Sequence, residues 1–254
     1  MPTPPVDPDS PDVQGSTAAP QPDTDPTVRA PLSRRIILTA AIAMIDEHDL
    51  RYLTMRRLGD ALGVEAMALY HWVHGREDLL DGIVEQLVDE LYGDPQVHLA
   101  SENWHDYLQR LAHGVRRIAL AHAQVFPLIA TRPPAAPWVR PPLRSLRWME
   151  SFLKQMRDCG FDDAGCVAAY RAFSSFLLGH LLLEVSAQGA DVSPIEQGDP
   201  EEEAQVTDLS GYPILQAFEP ELSQDHSAEE FELSLETLID RLELLRSHRS
   251  PRSS

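Results

Sequence analysis

The chain has 254 residues, a formal net charge of −19 and 43% hydrophobic residues, which excludes a wholly disordered, fibrous or membrane-embedded protein. Two cysteines, Cys159 and Cys166, are too few for a disulfide framework, and the opening MPTPPVDPDSPD is unlike a secretory signal. The longest uncharged apolar run, residues 172–183, is shorter than the roughly 18 residues that cross a bilayer. We therefore expect a cytoplasmic protein of one large or two modest domains that does not enter a membrane.

The acidic charge is unevenly distributed along the chain. Residues 1–31 contain nine prolines and carry a charge of −4, which predicts a disordered leader. Residues 77–254 carry −16, and twelve of their acids lie in the stretch 191–230, which has no Lys or Arg; we expect a solvated acidic loop at 191–226. Residues 32–76 contain six arginines and carry +1, so this segment alone suits a polyanionic partner.

Three short helices are predicted at the start of the folded part. Apolar residues at helical spacing follow Ser33, a plausible N-cap, and continue to about residue 47. Thr54 can cap a second helix at 55–62, which Gly63 would end, and a third is expected from 65 to about 73. Two helices joined by a glycine turn form a helix-turn-helix, whose second helix enters the major groove of DNA.

Longer helices are predicted after this segment. They are expected at 76–93, over about two dozen residues from Ser101 until Pro127, at 143–160, at 163–188 and from 227 to 247. The helix at 163–188 is apolar on nearly every face and so requires several neighbours or a second subunit. No alternating strand pattern or internal repeat is present, and the predicted fold class is all-α.

Residues 33–81 contain TMRRLGDALGV in the second helix and turn, Leu69 and Tyr70 in the third helix, and GREDLLD at the start of the fourth. With these motifs the segment resembles the DNA-binding domain of TetR-family regulators. Residues 77–247, with WHDYL and ATRPP, resemble the C-terminal domain of the tetracycline-repressor branch. This implies a three-helix helix-turn-helix domain at 32–78, a helical ligand-binding and dimerisation domain at 79–247, and a tail at 248–254.

The resemblance and the residue chemistry together indicate which side chains contact DNA. Thr54 is expected to bind a phosphate at a helix N-terminus, and Arg56 to bind guanine in bidentate fashion. Small or apolar side chains of the third helix would meet thymine methyl groups, and Arg76 would hold a phosphate. The family has an aromatic residue followed by histidine where this chain has His71 and Trp72. The full set is Thr54, Arg56, Arg57, Glu65, Ala66, Met67, Ala68, Tyr70, His71, Trp72 and Arg76.

The C-terminal half is expected to bind a small-molecule effector and to form a homodimer. The resemblance implies a four-helix bundle built by the helices at 163–188 and 228–247 of two subunits, and hence a palindromic operator. The predicted pocket residues are mostly apolar. They are Trp104, Leu108, Leu111, Val115, Phe126, Leu128, Thr131, Trp148, Phe152, Tyr170, Ser174 and His180.

No cofactor or metal is expected. At two positions where the tetracycline-repressor branch places histidines this chain has Tyr92 and Leu128, although Thr131 is kept, so magnesium-chelated tetracycline loses its ligands. The histidines at 105, 113 and 122 are spaced too far apart on one helix to share a metal.

Two other classes of function remain as alternatives. Hydrolysis by His180 with Ser174 or Ser175 would make the protein an enzyme, but no GxSxG, HExxH, GxGxxG or P-loop motif is present. The second alternative is an acidic all-α protein-interaction module without DNA binding, in which Arg56, Arg57 and Arg76 would have no functional role. The sequence favours a non-enzymatic repressor that a small-molecule effector releases from its operator.

Overall fold

The structure, a computed structural model, describes residues 31–94, 97, 103–132, 145–191 and 209–249. Within these ranges it is all-α, as predicted, and contains no strand. The helices are α1 (Arg34–Glu47), α2 (Met55–Leu62), α3 (Ala66–Leu69), α4 (Arg76–Gly93), α5 (Trp104–Ala121), α6 (Phe126–Thr131), α7 (Leu146–Asp158), α8 (Asp163–Ala187), α9 (Pro213–Leu222) and α10 (Ser227–Arg249).

The predicted caps of the first two helices are confirmed. Ser33 Oγ accepts a hydrogen bond from the Ile36 amide at 3.3 Å, and Thr54 Oγ1 accepts one from the Arg57 amide at 3.2 Å. Gly63 ends α2 with φ of 66°, a left-handed conformation that glycine adopts without a steric penalty. Side-chain caps satisfy amides that have no partner inside the helix, so they fix where each helix begins.

Gly59 allows α2 and α3 to approach each other closely. A Cβ atom at this position would lie 2.9 Å from the carbonyl oxygen of Val64 and 3.2 Å from the amide nitrogen of Ala66. Both neighbours are backbone atoms, which cannot move aside as a flexible side chain would. The angle of the helix-turn-helix therefore depends on a residue without a side chain at position 59.

The predicted third helix is longer than the observed one. The expected range was 65–73, whereas α3 covers only Ala66–Leu69, with Glu65 as its N-cap. The chain then turns, and the amides of Trp72 and Val73 both bond to the Leu69 carbonyl. The apolar pattern continues past Leu69 because Val73 is also buried, and that contact does not require a regular helix.

The core of the C-terminal part lies between α5, α7, α8 and α10. Its largest fully buried side chains include Phe126, Phe152, Phe173 and Phe231. By length and composition α8 is apolar enough to cross a membrane, but it packs against the other core helices and buries Glu184 among them. We therefore interpret α8 as a core helix, consistent with the sequence prediction of no membrane span.

Two predicted boundaries are wrong. The long helix does not continue until Pro127: α5 ends at Ala121, and Pro127 lies in the first turn of the separate helix α6. Proline lacks only an amide that has no intrahelical partner in that turn, so it fits there. The last helix also continues to residue 249, beyond the predicted end at 247.

The acidic loop predicted at 191–226 is wrong in its second half, where α9 forms. Pro213 starts this helix, and Ile214, Phe218 and Leu222 recur every four residues along it. Net charge describes solvation but does not prevent a helix from forming when apolar residues have helical spacing. Residues 192–208, most of the predicted leader and the end of the predicted tail lie outside the described residues.

Candidate DNA-binding surface and effector cavity

A network around Asp78 joins α1, the end of the α3 turn and α4. The Arg34 guanidinium donates to both Asp78 carboxylate oxygens, at 2.8 and 3.1 Å, and to the Trp72 carbonyl at 2.9 Å. The His74 amide donates to Asp78 Oδ2 at 2.7 Å. These donors, Arg34 first, hold the pKa of Asp78 well below its ordinary value. The network fixes residues 65–74, the recognition segment, relative to the two longer helices α1 and α4.

Most predicted base-contacting and backbone-contacting residues of α2, α3 and the following turn lie on one continuous exposed segment. Leu69 is fully buried and anchors this segment, whereas Met67, Tyr70 and Trp72 are exposed at 74%, 42% and 37%. Exposed large apolar side chains are informative when several lie close together, as these three do along the chain, because such clusters mark interaction surfaces. The exposed predicted residues are Arg56, Glu65, Met67, Ala68, Tyr70, His71 and Trp72, and Ala66 is half-buried.

The other predicted DNA-contacting residues are exposed but already bonded within the protein. Thr54 caps α2, and the Arg57 guanidinium lies 4.0 Å from the centre of the Tyr52 ring and donates to the Tyr52 carbonyl. The Arg76 guanidinium donates to the carbonyls of Leu50 and Leu53 in the loop before α2. In this conformation Arg76 therefore holds that loop. Arg56 is the arginine of α2 whose exposed side chain donates to no backbone carbonyl among the described residues.

A largely apolar cavity of about 70 Å³ lies beside α4. Four of the twelve predicted pocket residues line it: Val115, Phe126, Trp148 and Ser174. Sequence reasoning missed the remaining lining residues, although the apolar stripe of α4 was visible in the sequence. These are Val84, Leu87, Val88, Leu91, Ile118, Ile129, Ser145, Leu177 and Leu178.

The eight other predicted pocket residues do not line this cavity. Thr131 is exposed and its hydroxyl donates to the Pro127 carbonyl at 2.7 Å. The His180 ring is half-buried and packs against Phe176 and Phe231. The remaining six are buried in the core: Trp104, Leu108, Leu111, Leu128, Phe152 and Tyr170.

Ser174 is the buried polar group of the cavity wall. It is 1% exposed, and its Oγ makes no hydrogen bond of good geometry within the protein. The Tyr170 hydroxyl lies one turn earlier on α8; burial raises the pKa of Tyr170 to about 12, and its interaction with Ser174 only partly offsets this. Tyr170 is therefore uncharged at neutral pH, and a serine hydroxyl that interacts with it still has hydrogen-bonding capacity for a second group.

Arg132 links the end of α6, a cavity-lining helix, to the first turns of α4. Its guanidinium forms ion pairs with Glu77, at 2.8 Å, and with Asp81. Only 10% of the Arg132 side chain and 24% of the Asp81 side chain are exposed, so the Arg132–Asp81 pair is poorly screened by solvent, whereas Glu77 is 80% exposed. Asp78 lies between these two acids in the sequence, so Arg132 contacts the same turns of α4 that hold the recognition segment.

A second set of contacts joins α1 and the following loop to the ends of α5 and α8. His122 Nδ1 lies 2.6 Å from Asp46 Oδ2, and Arg51 forms an ion pair with Asp191 at 2.8 Å. Burial raises the pKa of Asp46, and the His122 ring lowers it again in part. These contacts attach the C-terminal end of α1 and the loop after it to the C-terminal part of the protein.

Apolar side chains remain exposed on α8, α9 and α10. Leu183 and Leu233 are exposed at 74% and 68%, and α9 has no buried residue. The helices α8 and α10 pack against each other and are the ones for which the sequence predicts the dimer, and exposed large apolar side chains suit a protein interface there. Among the described residues no group of three metal-ligating side chains occurs.

Comparison with known proteins gives consistent results for both halves of the chain. Residues 98–245 match the family model of the tetracyclin repressor-like C-terminal domain. A transcriptional regulator from Saccharopolyspora erythraea is 28% identical over 165 residues, which cover 65% of this chain and 66% of that protein, slightly under two thirds. The class C tetracycline repressor of Escherichia coli is 28% identical over 218 residues, covering 85% of this chain and 92% of the relative.

A solved structure extends the similarity to the whole fold. A possible TetR-family transcriptional regulator from Streptomyces coelicolor A3(2) is 28% identical, has a TM-score of 0.64, and matches over 85% of this chain and 100% of its own. The family model covers more than half of the chain, and the helix-turn-helix precedes it in the order that this structure shares. The chain therefore belongs to the TetR family of helix-turn-helix transcriptional regulators.

Proposed function

We propose that the protein is a homodimeric repressor that binds a palindromic operator and leaves it when a small molecule enters the cavity beside α4. The observation that carries this proposal is that α4 contacts both the recognition segment and the cavity. Its first turn holds the recognition segment through Asp78, and its later turns form one wall of the cavity. The acidic interaction module would leave the exposed surface of α3 and the cavity without a role.

The mechanism is a shift between two conformations. A ligand that fits only when α4 moves outward favours the conformation in which α4 is displaced, in proportion to its differential affinity for the two states. Arg132 and Asp78 then carry that displacement to the recognition segment. In a two-fold dimer this changes the separation of the two recognition helices, which must match half-sites about one DNA turn apart.

This function requires no catalysis and no resident cofactor. DNA provides the partner for the α2 and α3 surface, and an effector provides the partner for the cavity. We infer that the protein acts in the cytoplasm, where the operator DNA of a bacterial regulator lies. The identity of the operator is best obtained by retaining fragmented genomic DNA on the purified protein at near-physiological salt, where non-specific binding is suppressed. Recovery of one palindromic sequence is expected, whereas retention of no specific sequence by a folded dimer would favour the interaction module.

Arg56→Ala is expected to weaken binding to that operator by about 5- to 150-fold, because a bidentate contact to guanine contributes about 1–3 kcal/mol of discrimination. Operator affinity is measured for the native sequence and for variants with single base-pair changes. When the base pair that Arg56 contacts is changed, wild type and Arg56→Ala should bind that operator variant with similar affinity. Arg171→Ala removes the same charge from an exposed position on α8 and should leave affinity within twofold; equal affinities of all three proteins would exclude Arg56 as a base contact.

Arg132→Ala is expected to weaken the coupling between effector and operator. For a ligand that releases the wild-type protein, the ratio of operator Kd values with and without ligand should fall severalfold, toward one, while affinity without ligand changes less. Arg147→Ala is the matched control, since Arg147 also pairs with an acid of α4, Asp89, but loosely at 3.6 Å and in an exposed position. An unchanged ratio in Arg132→Ala would show that coupling bypasses this ion pair.

A further inference from the structure

The cavity wall is chemically selective. Its described lining contains no charged side chain, and aliphatic and aromatic groups from α4, α5, α6, α7 and α8 form nearly all of it. Transfer of an ionised carboxylate or ammonium into such surroundings is strongly unfavourable unless an opposite charge is present. The wall therefore discriminates against charged ligands and against ligands that need a metal ion.

Ser174 gives the wall one specific polar position. The Ser145 hydroxyl, which also lines the cavity, already accepts a hydrogen bond from the Trp148 amide at 3.2 Å as the N-cap of α7. The Ser174 hydroxyl is almost completely buried and makes no hydrogen bond of good geometry, and its interaction with the Tyr170 hydroxyl leaves it with unused hydrogen-bonding capacity. A buried hydroxyl whose hydrogen bonds are incomplete is unfavourable, and a ligand that supplies a donor or acceptor there relieves this cost.

The volume of the cavity limits the ligand and explains its effect. About 70 Å³ is less than half of the roughly 150 Å³ of an apolar cavity that holds benzene. A ligand with one aromatic ring therefore fits only if the walls separate. Close-packed core helices deform in discrete steps, and α4 is the wall that also contacts α1 of the DNA-binding part through Gly82 and Leu38.

We propose that the cavity binds an uncharged, compact ring compound with a single hydroxyl or carbonyl group, which hydrogen-bonds to Ser174. This assignment rests on the proposed function only for its regulatory meaning, because the ligand class follows from the cavity wall itself. The apolar lining selects for an uncharged ligand, and the hydrogen bond to Ser174 orients it. Aromatic alcohols and ketones meet both conditions.

The test uses four probes that share one ring and differ in one group: ethylbenzene, 4-ethylphenol, 4-ethylbenzoate and 4-ethylbenzylamine. Their affinities for the full-length protein are measured by calorimetry at pH 7 without DNA, so that the result does not depend on operator binding. We expect 4-ethylphenol to bind about three- to tenfold more tightly than ethylbenzene, as one hydrogen bond allows. The anionic and cationic probes should bind at least tenfold more weakly than 4-ethylphenol.

Two serine variants test whether the ligand hydrogen-bonds to the Ser174 hydroxyl. Ser174→Ala removes a buried hydroxyl and should reduce the affinity of 4-ethylphenol to that of ethylbenzene, while ethylbenzene itself binds as before. Ser175→Ala removes the neighbouring, exposed hydroxyl and should change nothing. A charged probe that binds as tightly as 4-ethylphenol, a preference for the phenol that survives in Ser174→Ala, or no binding of any probe would overturn the proposal. Failure to find an operator would instead overturn the proposed function and leave these affinities unaffected.

Discussion

Arg116→Ala is expected to lower the free energy of unfolding by about 3–5 kcal/mol, because it leaves Glu184 as an uncompensated buried charge. In the native protein Arg116 Nε donates to Glu184 Oε2 at 3.1 Å, and Nη2 bonds to the second carboxylate oxygen. Glu184 is 4% exposed, so water cannot replace the guanidinium. Arg116 also lies 5.2 Å from the centre of the Phe231 ring, and so joins α5 to both α8 and α10.

Urea denaturation at one fixed protein concentration measures this loss, and a melting temperature lower by roughly 10 °C should accompany it. Arg117→Ala is the matched control: Arg117 is adjacent and pairs with Asp94, but half of its side chain is exposed, so we expect a cost of about 0–1 kcal/mol. Replacing both partners, Arg116→Met with Glu184→Leu, should recover most of the stability. A cost for Arg116→Ala as small as that of Arg117→Ala would mean that Glu184 is solvated or protonated in the native protein.

The first two helices could be predicted from sequence because their signals are local. Ser33 and Thr54 act on amides three residues away, and Gly63 ends α2 by its own backbone conformation. The family motifs of residues 33–81 likewise lie in one continuous segment. Interactions over such short separations can be recognised from the order of residues alone. The predicted positions of α1, of α2 and of the turn therefore agree with the structure.

The acidic helix α9 shows how one sequence signal can obscure another. Twelve acids and no basic residue between 191 and 230 predicted a loop, yet Ile214, Phe218 and Leu222 have helical spacing within that range. The charge is compatible with both structures, whereas the spacing favours only a helix. Giving periodicity precedence over net charge would have predicted α9, although not where it packs.

The cavity could be predicted only in part, because residue order does not say which side of a buried helix faces a void. On α8, Ser174 lines the cavity whereas Tyr170 and Phe173 are buried in the core beside it. The network that joins the cavity to the DNA-binding surface depends on residues far apart in sequence. Arg34 and Asp78 are 44 residues apart, and Arg132 and Asp81 are 51 apart. Such pairs are defined by the tertiary fold and leave no short-range pattern.

Asp78→Asn is expected to destabilise the DNA-binding part by about 2–3 kcal/mol and to weaken operator binding at least tenfold. The carboxylate accepts two bonds from Arg34 and one from the His74 amide, and hydrogen bonds to charged groups contribute about 1.5–3 kcal/mol. An asparagine keeps one acceptor oxygen but presents its NH₂ group to the Arg34 guanidinium. The recognition segment would then lose most of its bonded connection to the first turn of α4, and the bond from Arg34 to the Trp72 carbonyl would be its remaining link to α1.

The pH dependence of this variant separates the charge of Asp78 from its shape. Arg34 and His74 lower the pKa of Asp78 in the folded protein, so the stabilisation is fully present above the unfolded pKa, near 4, and is lost as pH falls through the lower folded pKa. The difference in melting temperature between wild type and Asp78→Asn should therefore be present at neutral pH and shrink below about pH 4. Asp60→Asn, an exposed carboxylate on α2, should show almost no difference at neutral pH. A difference for Asp78→Asn that persists undiminished at pH 3 would mean that amide packing, and not the carboxylate charge, determines how the recognition segment is held.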